Sequence, residues 1–345
     1  MAGILTRHSK ASADVADHTA RLNVDNTALL ARQRRLAQAL SHGTTREQCS
    51  LCEARLAGAD RFMHRQVPYV SCGVCSHVQS ATLPSAGSGG AQEFHTVYPP
   101  LSPTDYARRT ALVHAPKLDW LLQAGEQLGI GREAMLARSW VELGSGAGNF
   151  IDALRQAGAR HATGLEADPV LVARAQAALA ANLVRPFGGS LADAVREHPA
   201  DCYAAWFVLE HCQEIPGLLR ALRESPAGTV FAFSVPVMGL ATLLEAAVDG
   251  YFARNLDSVL HRQLFTDRSI RYALDLAGFE PRAEWIFGQD IDDLLRMLVA
   301  GLSEKYPPAL LAGETRRLAA ASDDLQHVVD RHRLADARHV LAIKV

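Results

Sequence analysis

Residues 141–150, VELGSGAGNF, place three glycines at alternate positions, after a short apolar run and before a run with helical spacing. Glycine adopts backbone conformations that other residues disfavour, so Gly144, Gly146 and Gly148 predict a tight strand-to-helix turn that a ligand can approach closely. The dinucleotide fingerprint GxGxxG requires its third glycine where this chain has Asn149. The pattern therefore predicts a ligand-binding turn but disfavours NAD as the ligand.

From Ser139 onward, short apolar runs alternate with amphipathic helical segments. This rhythm predicts βαβ units and an α/β fold with an open, doubly wound sheet, in which ligands bind at the carboxyl ends of the strands. The runs EPRAEWIF and RHVLAIKV predict two last strands, paired as an antiparallel hairpin at one edge. Helical insertions are expected at about 237–262 and 289–335 within a core that spans 139–345.

The part of the chain ahead of the core divides into three segments. Residues 1–45 are expected to form a helical segment, because apolar residues recur at helical spacing within 24–41. Residues 46–80 contain four cysteines and form a predicted metal-binding module. Residues 81–138 read as a Gly/Ser/Pro-rich linker followed by a helical cap that carries a tyrosine loop.

Four of the six cysteines form two CxxC pairs, Cys49 with Cys52 and Cys72 with Cys75, separated by nineteen residues. This spacing is typical of a zinc ribbon, in which two knuckles supply four thiolates to one tetrahedral ion. Two unrelated turns or a redox pair are the alternatives, although a redox CxxC normally occurs singly beside a thioredoxin-like βαβ unit. Because four thiolates leave no open coordination position, the predicted Zn²⁺ is structural.

The charge of the chain limits its partners. Its 35 Lys and Arg against 37 Asp and Glu give a net charge of -2 and a pI near 6.7, which supplies no positive field for nucleic acid. The first residues lack the apolar region of a signal peptide, and no run reaches the roughly 18 apolar residues of a membrane span. We expect a cytoplasmic protein with a small-molecule partner, no membrane partner, and the helix at 24–41 available as a lid or a homodimer contact.

An acid two residues ahead of alternating glycines, Glu142 before Gly144, resembles motif I of class I S-adenosylmethionine (SAM)-dependent methyltransferases. The resemblance covers about residues 139–288 and implies a Rossmann-like sheet of seven strands with SAM as cofactor. Bare Cα atoms at Gly144 and Gly146 would let the ribose and methionine portions lie against the turn. Glu166, at the end of the next strand, is expected to accept hydrogen bonds from both ribose hydroxyls.

Further residues are implied in the cofactor site by the same resemblance. GGSLAD at 188–193 stands where the family has its adenine-contacting loop, and FVLEH at 207–211 ends the fourth strand beside the methyl-transfer chamber. The expected cofactor-binding residues are Glu142, Gly144, Ser145, Gly146, Gly148, Glu166, Ala167, Leu191, Asp193 and Phe207.

The cysteine module resembles the N-terminal metal domain of bacterial sugar C-methyltransferases, and C-terminal segments resemble methyltransferases encoded among surface-polysaccharide genes. Tyrosines lie over the substrate in those sugar enzymes, which implies such a role for Tyr98 and Tyr106, beside His95. His211, just past the fourth strand, and His261, ahead of a helix over the site, have side chains suited to a general base. Hydrogen-bonding or capping roles are the alternative for both histidines.

These features predict a SAM-dependent methyltransferase that acts on a small polar metabolite, with a nucleotide-linked sugar or other glycan or natural-product precursor as the favoured class. Three alternatives stay open. The chain could be a zinc-finger RNA methyltransferase, which its near-neutral pI disfavours. It could transfer the aminocarboxypropyl arm of SAM or catalyse a cyclisation. It could also be a non-catalytic SAM-binding scaffold.

Overall fold

The structure is a computed structural model that describes most of the chain. The described residues are 3–10, 26–41, 43–83, 99–212, 214–248, 250–251, 254–256, 261–302 and 305–345. Two residues of the predicted tyrosine loop, His95 and Tyr98, lie outside these ranges.

Within the described residues the chain forms fourteen strands and thirteen α-helices. The strands are β1 (Leu5–His8), β2 (Thr44–Thr45), β3 (Asp60–His64), β4 (Val67–Ser71), β5 (Val78–Ser80), β6 (Thr82–Leu83), β7 (Trp140–Leu143), β8 (Ala162–Glu166), β9 (Val184–Pro186), β10 (Cys202–Trp206), β11 (Val230–Pro236), β12 (Gln263–Leu264), β13 (Phe279–Phe287) and β14 (Ala337–Lys344). The helices are α1 (Asn26–Ser41), α2 (Pro103–Arg109), α3 (Ala115–Gln127), α4 (Arg132–Ala137), α5 (Asn149–Gln156), α6 (Pro169–Leu179), α7 (Leu191–Glu197), α8 (Ile215–Arg223), α9 (Leu240–Ala247), α10 (Asp267–Ala277), α11 (Asp290–Leu302), α12 (Pro308–Ala319) and α13 (Ser322–Arg331).

The central sheet has the strand order β1-β13-β14-β11-β10-β7-β8-β9. Strands β9, β8, β7, β10 and β11 are parallel, whereas β14 is antiparallel to both β11 and β13. The predicted doubly wound α/β fold is thereby confirmed. Because the sheet reverses its order between β7 and β10, the carboxyl ends of these two strands border the crevice where such folds bind ligands.

The sheet contains one strand more than the seven that the resemblance implies. β1 joins the edge in parallel register with β13, with Leu5 opposite Ala283. Its sequence LTRH shows no apolar alternation, and its contacts come from far along the chain: the Arg7 guanidinium lies 3.8 Å from the centre of the Trp285 ring, and the Trp285 indole donates to the Ser9 carbonyl. No local pattern could predict this strand.

Alternate residues of the central strand face two separate core layers. Cys202, Ala204 and Trp206 point into one layer, which α3 to α6 cover. Tyr203 and Ala205 point into the other, which α7, α8 and α10 cover. This alternation is the side-chain period of a strand that is buried on both faces, as parallel sheets require.

The cysteine module is built into the core. Strands β3, β4 and β5 form an antiparallel sheet, and β12, which follows β11 in the chain, adds a fourth strand beside β5. Leu51, Leu56 and Val70 of the module share a continuous hydrophobic core with Phe265 and with the α8 side of the central sheet. The module therefore packs against the carboxyl end of the sheet as part of its wall.

Helices also fill the regions ahead of and between the last strands. α2, a π-helical turn (Thr110–His114) and α3 form a continuous helical run ahead of β7, and α11 to α13 separate β13 from β14. Among the described residues, none of the helices combines the length and apolar character that a membrane crossing requires.

Gly148→Ala is expected to lower the free energy of unfolding by about 2 kcal/mol or more. Gly148 has φ +79°, and a Cβ there would lie 3.0 Å from Leu179 Cδ1 and 3.2 Å from Val184 Cγ2, so left-handed strain adds to overpacking. Urea denaturation followed by tryptophan fluorescence measures the change.

Gly217→Ala is the matched control, because a Cβ at this position in α8 would make an ordinary 3.7 Å contact with Ala192. This variant is expected to be neutral or to gain up to about 1 kcal/mol from helix propensity. Equal losses in the two variants would contradict the packing argument.

Candidate active site

The glycine turn occupies the end of β7, and its three glycines are needed for different reasons. All have positive φ: +65° at Gly144, +55° at Gly146 and +79° at Gly148. A Cβ at Gly144 would lie 2.8 Å from Val208 Cγ2, and one at Gly148 would press on Leu179, whereas one at Gly146 would meet no described atom within 4 Å. Gly144 and Gly148 therefore admit other parts of the protein, and Gly146 presents its bare face to the crevice.

Glu166 is held beside this turn by backbone donors. Its Oε2 accepts from the Gly146 amide at 2.7 Å and its Oε1 from the Asp168 amide at 2.9 Å. Burial raises the pKa of Glu166, and these hydrogen bonds oppose the rise. The carboxylate is thus fixed between two loops at the carboxyl ends of β7 and β8, next to the exposed Ala167.

A fourth glycine, which the sequence reasoning missed, supports the same turn. Ser145 is buried, and its amide donates to the Leu165 carbonyl at 3.0 Å. A Cβ at Gly164, on β8, would lie 2.6 Å from Ser145 Oγ and 3.0 Å from Val184 Cγ2. Gly164 therefore allows Ser145 to pack against β8. A single glycine at the start of GLEADP forms no recognisable motif, so the sequence alone did not indicate this role.

A buried acid and a buried lysine lie behind the turn. Glu142 on β7 is 3% exposed and Lys117 on α3 is 4% exposed. Burial raises the pKa of Glu142 well above its ordinary value, against the opposing effect of the Lys117 cation. Burial likewise lowers the pKa of Lys117 to about 7, and Arg109 adds to that shift. Glu142 was predicted as a site residue, but nothing local in the sequence identified Lys117 as its neighbour.

The chain leaves β10 through a strained residue. Phe207 has φ +55°, a conformation that costs about 1–2 kcal/mol for a residue with a side chain, and its amide donates to the Ser234 carbonyl at 3.2 Å. Its ring packs toward the α3 side, 6.2 Å from the centre of the His339 ring. A 3-10 helix (Leu209–His211) follows, beside the glycine turn.

Gln263 ties this 3-10 helix to the cysteine module. Its Nε2 donates to the carbonyls of Leu209 at 3.0 Å and Cys212 at 2.5 Å. Its Oε1 accepts from Ser50 Oγ at 2.8 Å and faces His77 Nε2 at 2.9 Å. Gln263 is buried, so these contacts are shielded from water and fix the loop after β10 against the module.

The structure brings both histidine candidates together around an acid. Glu210 Oε1 lies 3.9 Å from His211 Nε2 and 4.0 Å from His261 Nε2, and the two imidazole rings are 5.1 Å apart. The histidine side chains are 15% and 23% exposed, while Glu210 is fully buried. Glu210 and His211 are adjacent in the chain, but no local pattern in the sequence places His261 beside them.

The predicted adenine-side residues begin α7. Asp193 forms a capping box with Ser190: its Oδ2 accepts from the Ser190 amide at 3.0 Å, and its own amide donates to Ser190 Oγ at 3.2 Å. These contacts lower the pKa of Asp193. They give its carboxylate a structural role at the helix start, and a cofactor contact by Leu191 or Asp193 stays a prediction.

The remaining member of the tyrosine loop within the described residues is Tyr106. It is buried on α2, and its carbonyl accepts from Asn149 Nδ2 at 3.3 Å, so it lies over the start of α5. Burial and the nearby acids Asp152 and Glu142 raise the pKa of its phenol. A substrate contact by Tyr98 stays a prediction.

The four predicted metal ligands converge. Cys49 Sγ lies 3.7 Å from Cys75 Sγ, Cys52 Sγ lies 3.5 Å from Cys72 Sγ, and all four sulfurs are within 4.8 Å of one another. Four thiolates at about 2.3 Å from one zinc ion would lie about 3.8 Å apart. The spacing therefore fits a tetrahedral ion.

The two CxxC segments also fold alike. The residue after each second cysteine has a left-handed backbone, Glu53 with φ +59° and Ser76 with φ +60°. Each of these residues donates its amide to the carbonyl of the first cysteine of its pair, Cys49 at 3.0 Å and Cys72 at 2.8 Å. The same turn in both segments matches the pair of knuckles that the zinc-ribbon prediction requires.

Comparison with known proteins identifies the family. Residues 106–284, just over half of the chain, match the family described as a methyltransferase domain. The chain belongs to this methyltransferase family. Its members use SAM, and the chain is accordingly a SAM-dependent methyltransferase. No curated protein matches it.

Several solved structures of methyltransferases are similar to this chain. One is the magnesium protoporphyrin IX methyltransferase of Synechocystis with bound S-adenosyl-L-homocysteine (16% identity, TM-score 0.43, covering 75% of this chain and 95% of that chain). Another is a SAM-dependent methyltransferase of Mesorhizobium loti (18%, 0.39, 60% and 91%). A third is the geranyl diphosphate C-methyltransferase of Streptomyces coelicolor, in complex with Mg²⁺, geranyl diphosphate and S-adenosyl-L-homocysteine (12%, 0.37, 60% and 72%).

Because Lys117 is buried, the free energy of unfolding of the methyltransferase is expected to depend on pH. Its folded pKa, about 7, is below its ordinary value of 10.5, so between these values the unfolded state binds the proton more strongly and wild-type stability rises with pH. Lys117→Met removes this contribution. The free energy of unfolding of the wild type relative to the variant is expected to rise by up to about 1 kcal/mol per pH unit from pH 7 to 9.5.

Urea denaturation at four pH values in this range measures the difference. Lys344→Met, which removes a lysine from the last strand β14, is the control for the loss of a lysine in general. A difference between wild type and Lys117→Met that is constant with pH would mean that Lys117 is not held in a low-pKa environment.

Proposed function

We propose that the enzyme transfers the methyl group of SAM to a small polar metabolite, with a nucleotide-linked sugar or another glycan precursor as the acceptor class. The observation that carries this proposal is the grouping of polar side chains at the carboxyl ends of β7, β8 and β10, where doubly wound sheets bind their ligands. Gly146, with open space beside it, and the fixed carboxylate of Glu166 lie at the ends of β7 and β8. Glu210 and His211, which form a cluster with His261, follow β10.

The cofactor side of the crevice suits a nucleoside. Gly146 offers an open, left-handed backbone against which a flat ligand can lie. Glu166 keeps acceptor capacity beyond the backbone hydrogen bonds that it accepts. SAM supplies an electrophilic methyl group on a sulfonium. Glu166 would hold the ribose hydroxyls, while Ser145, Ala167, Leu191, Asp193 and Phe207 remain candidates for the rest of the cofactor.

The acceptor side suits a small molecule. The cysteine module covers the loop after β10 through Gln263, and the three polar side chains beneath it are largely buried. Polar side chains that are this deeply buried suit a small metabolite better than a folded RNA. The net charge of -2 also gives no attraction for a phosphate backbone. His211 and His261 are the proposed residues that handle the acceptor group; the sugar class rests on the resemblance of the module.

The cysteine module is proposed to hold one structural Zn²⁺ through Cys49, Cys52, Cys72 and Cys75. The sulfur spacing and the two identical knuckles support this assignment. Since four thiolates complete a tetrahedron, the ion would stiffen the wall that carries Ser50 and His77 and would take no part in the chemistry.

Gly146→Ala is expected to weaken SAM binding at least tenfold while leaving the fold intact. A methyl group there meets open space in the protein but would occupy the face proposed for the cofactor. Isothermal titration of the zinc-replete protein with SAM measures the affinity. Gly129→Ala is the matched control, because Gly129 also has positive φ, at +82°, and open space around it. Equal affinities in the two variants would contradict the proposed cofactor position.

Cys72→Ser is expected to reduce bound zinc from about one ion per chain to well below one and to lower the midpoint of thermal unfolding by several degrees. Elemental analysis by mass spectrometry measures the zinc. Cys212→Ser is the control, since Cys212 lies outside the cluster and its thiol bonds the Val208 carbonyl. Loss of zinc from both variants, or from neither, would argue against the four-cysteine site.

The reaction itself is tested by incubating the zinc-replete protein with SAM and a panel of nucleotide-linked sugars. Mass spectrometry is expected to detect S-adenosyl-L-homocysteine together with an acceptor that has gained a methyl group. Methylthioadenosine as the product would overturn methyl transfer in favour of aminocarboxypropyl transfer. Absence of SAM binding would overturn the proposal as a whole.

A further inference from the structure

The cluster of Glu210, His211 and His261 presents ligand atoms to a common point. One carboxylate oxygen and one ring nitrogen from each histidine all lie within 4.8 Å of one another. Two ligands bound at about 2.1 Å to the same cation are at most about 4.2 Å apart. The measured separations of 3.9 and 4.0 Å from Glu210 Oε1 to the two Nε2 atoms are already within that limit.

The burial of the Glu210 carboxylate is not compensated by hydrogen bonds from the described residues. It is 1% exposed, and neither of its carboxylate oxygens has a hydrogen-bond partner among the described residues. A buried carboxylate without a donor is costly, and in native structures such a group is normally paired with a cation or a metal ion. Among the described residues, no Lys or Arg side chain forms an ion pair with Glu210. The charged groups nearest to its carboxylate are the two histidines.

The ring orientation of His261 means that its neutral form offers no hydrogen-bond donor to Glu210. Its Nδ1 lies 3.1 Å from the Arg254 carbonyl, and a carbonyl can only accept, so Nδ1 carries the proton. In the neutral ring Nε2 is then a lone-pair acceptor, and it faces the Glu210 carboxylate. A metal-binding histidine typically donates its other ring N–H to a backbone carbonyl in this way, which fixes the ligating nitrogen.

We propose that Glu210, His211 and His261 bind a divalent first-row transition cation, whose remaining coordination positions take an oxygen of the methyl acceptor. Two imidazoles and one carboxylate favour Mn²⁺, Fe²⁺, Co²⁺ or Zn²⁺ over Mg²⁺ and Ca²⁺, which prefer oxygen ligands alone. Three protein ligands leave positions open, in contrast to the closed four-thiolate site. This inference rests on the proposed function for its acceptor, although binding of the cation does not.

The position of the cluster matches that role. Val208 fills the space above Gly144, and the 3-10 helix that carries Glu210 and His211 starts at the next residue, so the cation would lie beside the cofactor turn. A hydroxyl bound there would become more acidic and would lose its proton to water. Its oxygen would then form a bond to the methyl carbon as the carbon–sulfur bond breaks and the electron pair goes to sulfur. The acceptor class is thus narrowed to metabolites that present a hydroxyl, and chelating vicinal oxygens would bind best.

The test measures cation binding without SAM and without an acceptor. Protein that has been dialysed against a mild chelator, and that still holds its structural zinc by elemental analysis, is titrated with Mn²⁺. Electron paramagnetic resonance follows the loss of the free Mn²⁺ signal. One Mn²⁺ per chain is expected to bind, and Glu210→Gln, His211→Gln and His261→Gln are each expected to weaken it at least tenfold.

His332→Gln is the matched control, because His332 is exposed after α13 and belongs to none of the clusters described here. Circular dichroism and SAM titration verify that each variant is folded and binds its cofactor. Absence of Mn²⁺ binding in the wild type, or equal binding in the cluster variants and His332→Gln, would overturn the cation site. Loss of SAM binding in the wild type would instead overturn the proposed function, so the two failures are distinguishable.

Discussion

The left-handed backbone of the glycine turn is the constraint on which the rest of the site depends. At Gly144 it admits Val208 and thereby sets the position of the loop after β10. At Gly148 it admits α6 and β9, and at Gly146 it aims an amide at Glu166. One turn of five residues therefore fixes the chain after β10 and the Glu166 carboxylate at the end of β8, and leaves open space beside Gly146. A side chain at any of the three glycines would strain the backbone, and at Gly144 and Gly148 it would also displace a neighbouring side chain.

The cysteine module and the catalytic core share one wall. Strand β12 leaves the core after β11, pairs with β5 of the module and returns to α10. Gln263 on this strand contacts Ser50 on one side and the carbonyls of the 3-10 helix on the other. The packing of Phe265 with Leu51 buries the same junction. The two cysteine knuckles and the 3-10 helix that carries Glu210 and His211 are thereby held in one packed unit.

Short continuous motifs allowed much of this architecture to be predicted. The glycine turn, the two cysteine pairs and each strand–helix–strand unit are each encoded in a continuous segment of about thirty residues or fewer. Lys117, Gly164 and Gln263 carried no such signal, because what each does depends on partners distant in the chain. Asp193 has a local capping contact that the family resemblance did not suggest. Strand β1 (Leu5–His8), the additional strand of the eight-stranded sheet, is specified by contacts with residues about 280 positions away in the chain. No local sequence pattern indicates such contacts.

The place of β14 in the sheet has a consequence for how the chain folds. This strand lies between β11 and β13 and bonds to both, yet it is the last of the three to be synthesised. During translation the edges of β11 and β13 that bind β14 therefore stay unpaired until β14 has been made. In the same way, β1 stays unpaired until β13 has been made. Closing such sequence-distant pairs is slow, and open edges attract other chains. The nascent enzyme is expected to need shielding until its final strand has left the ribosome.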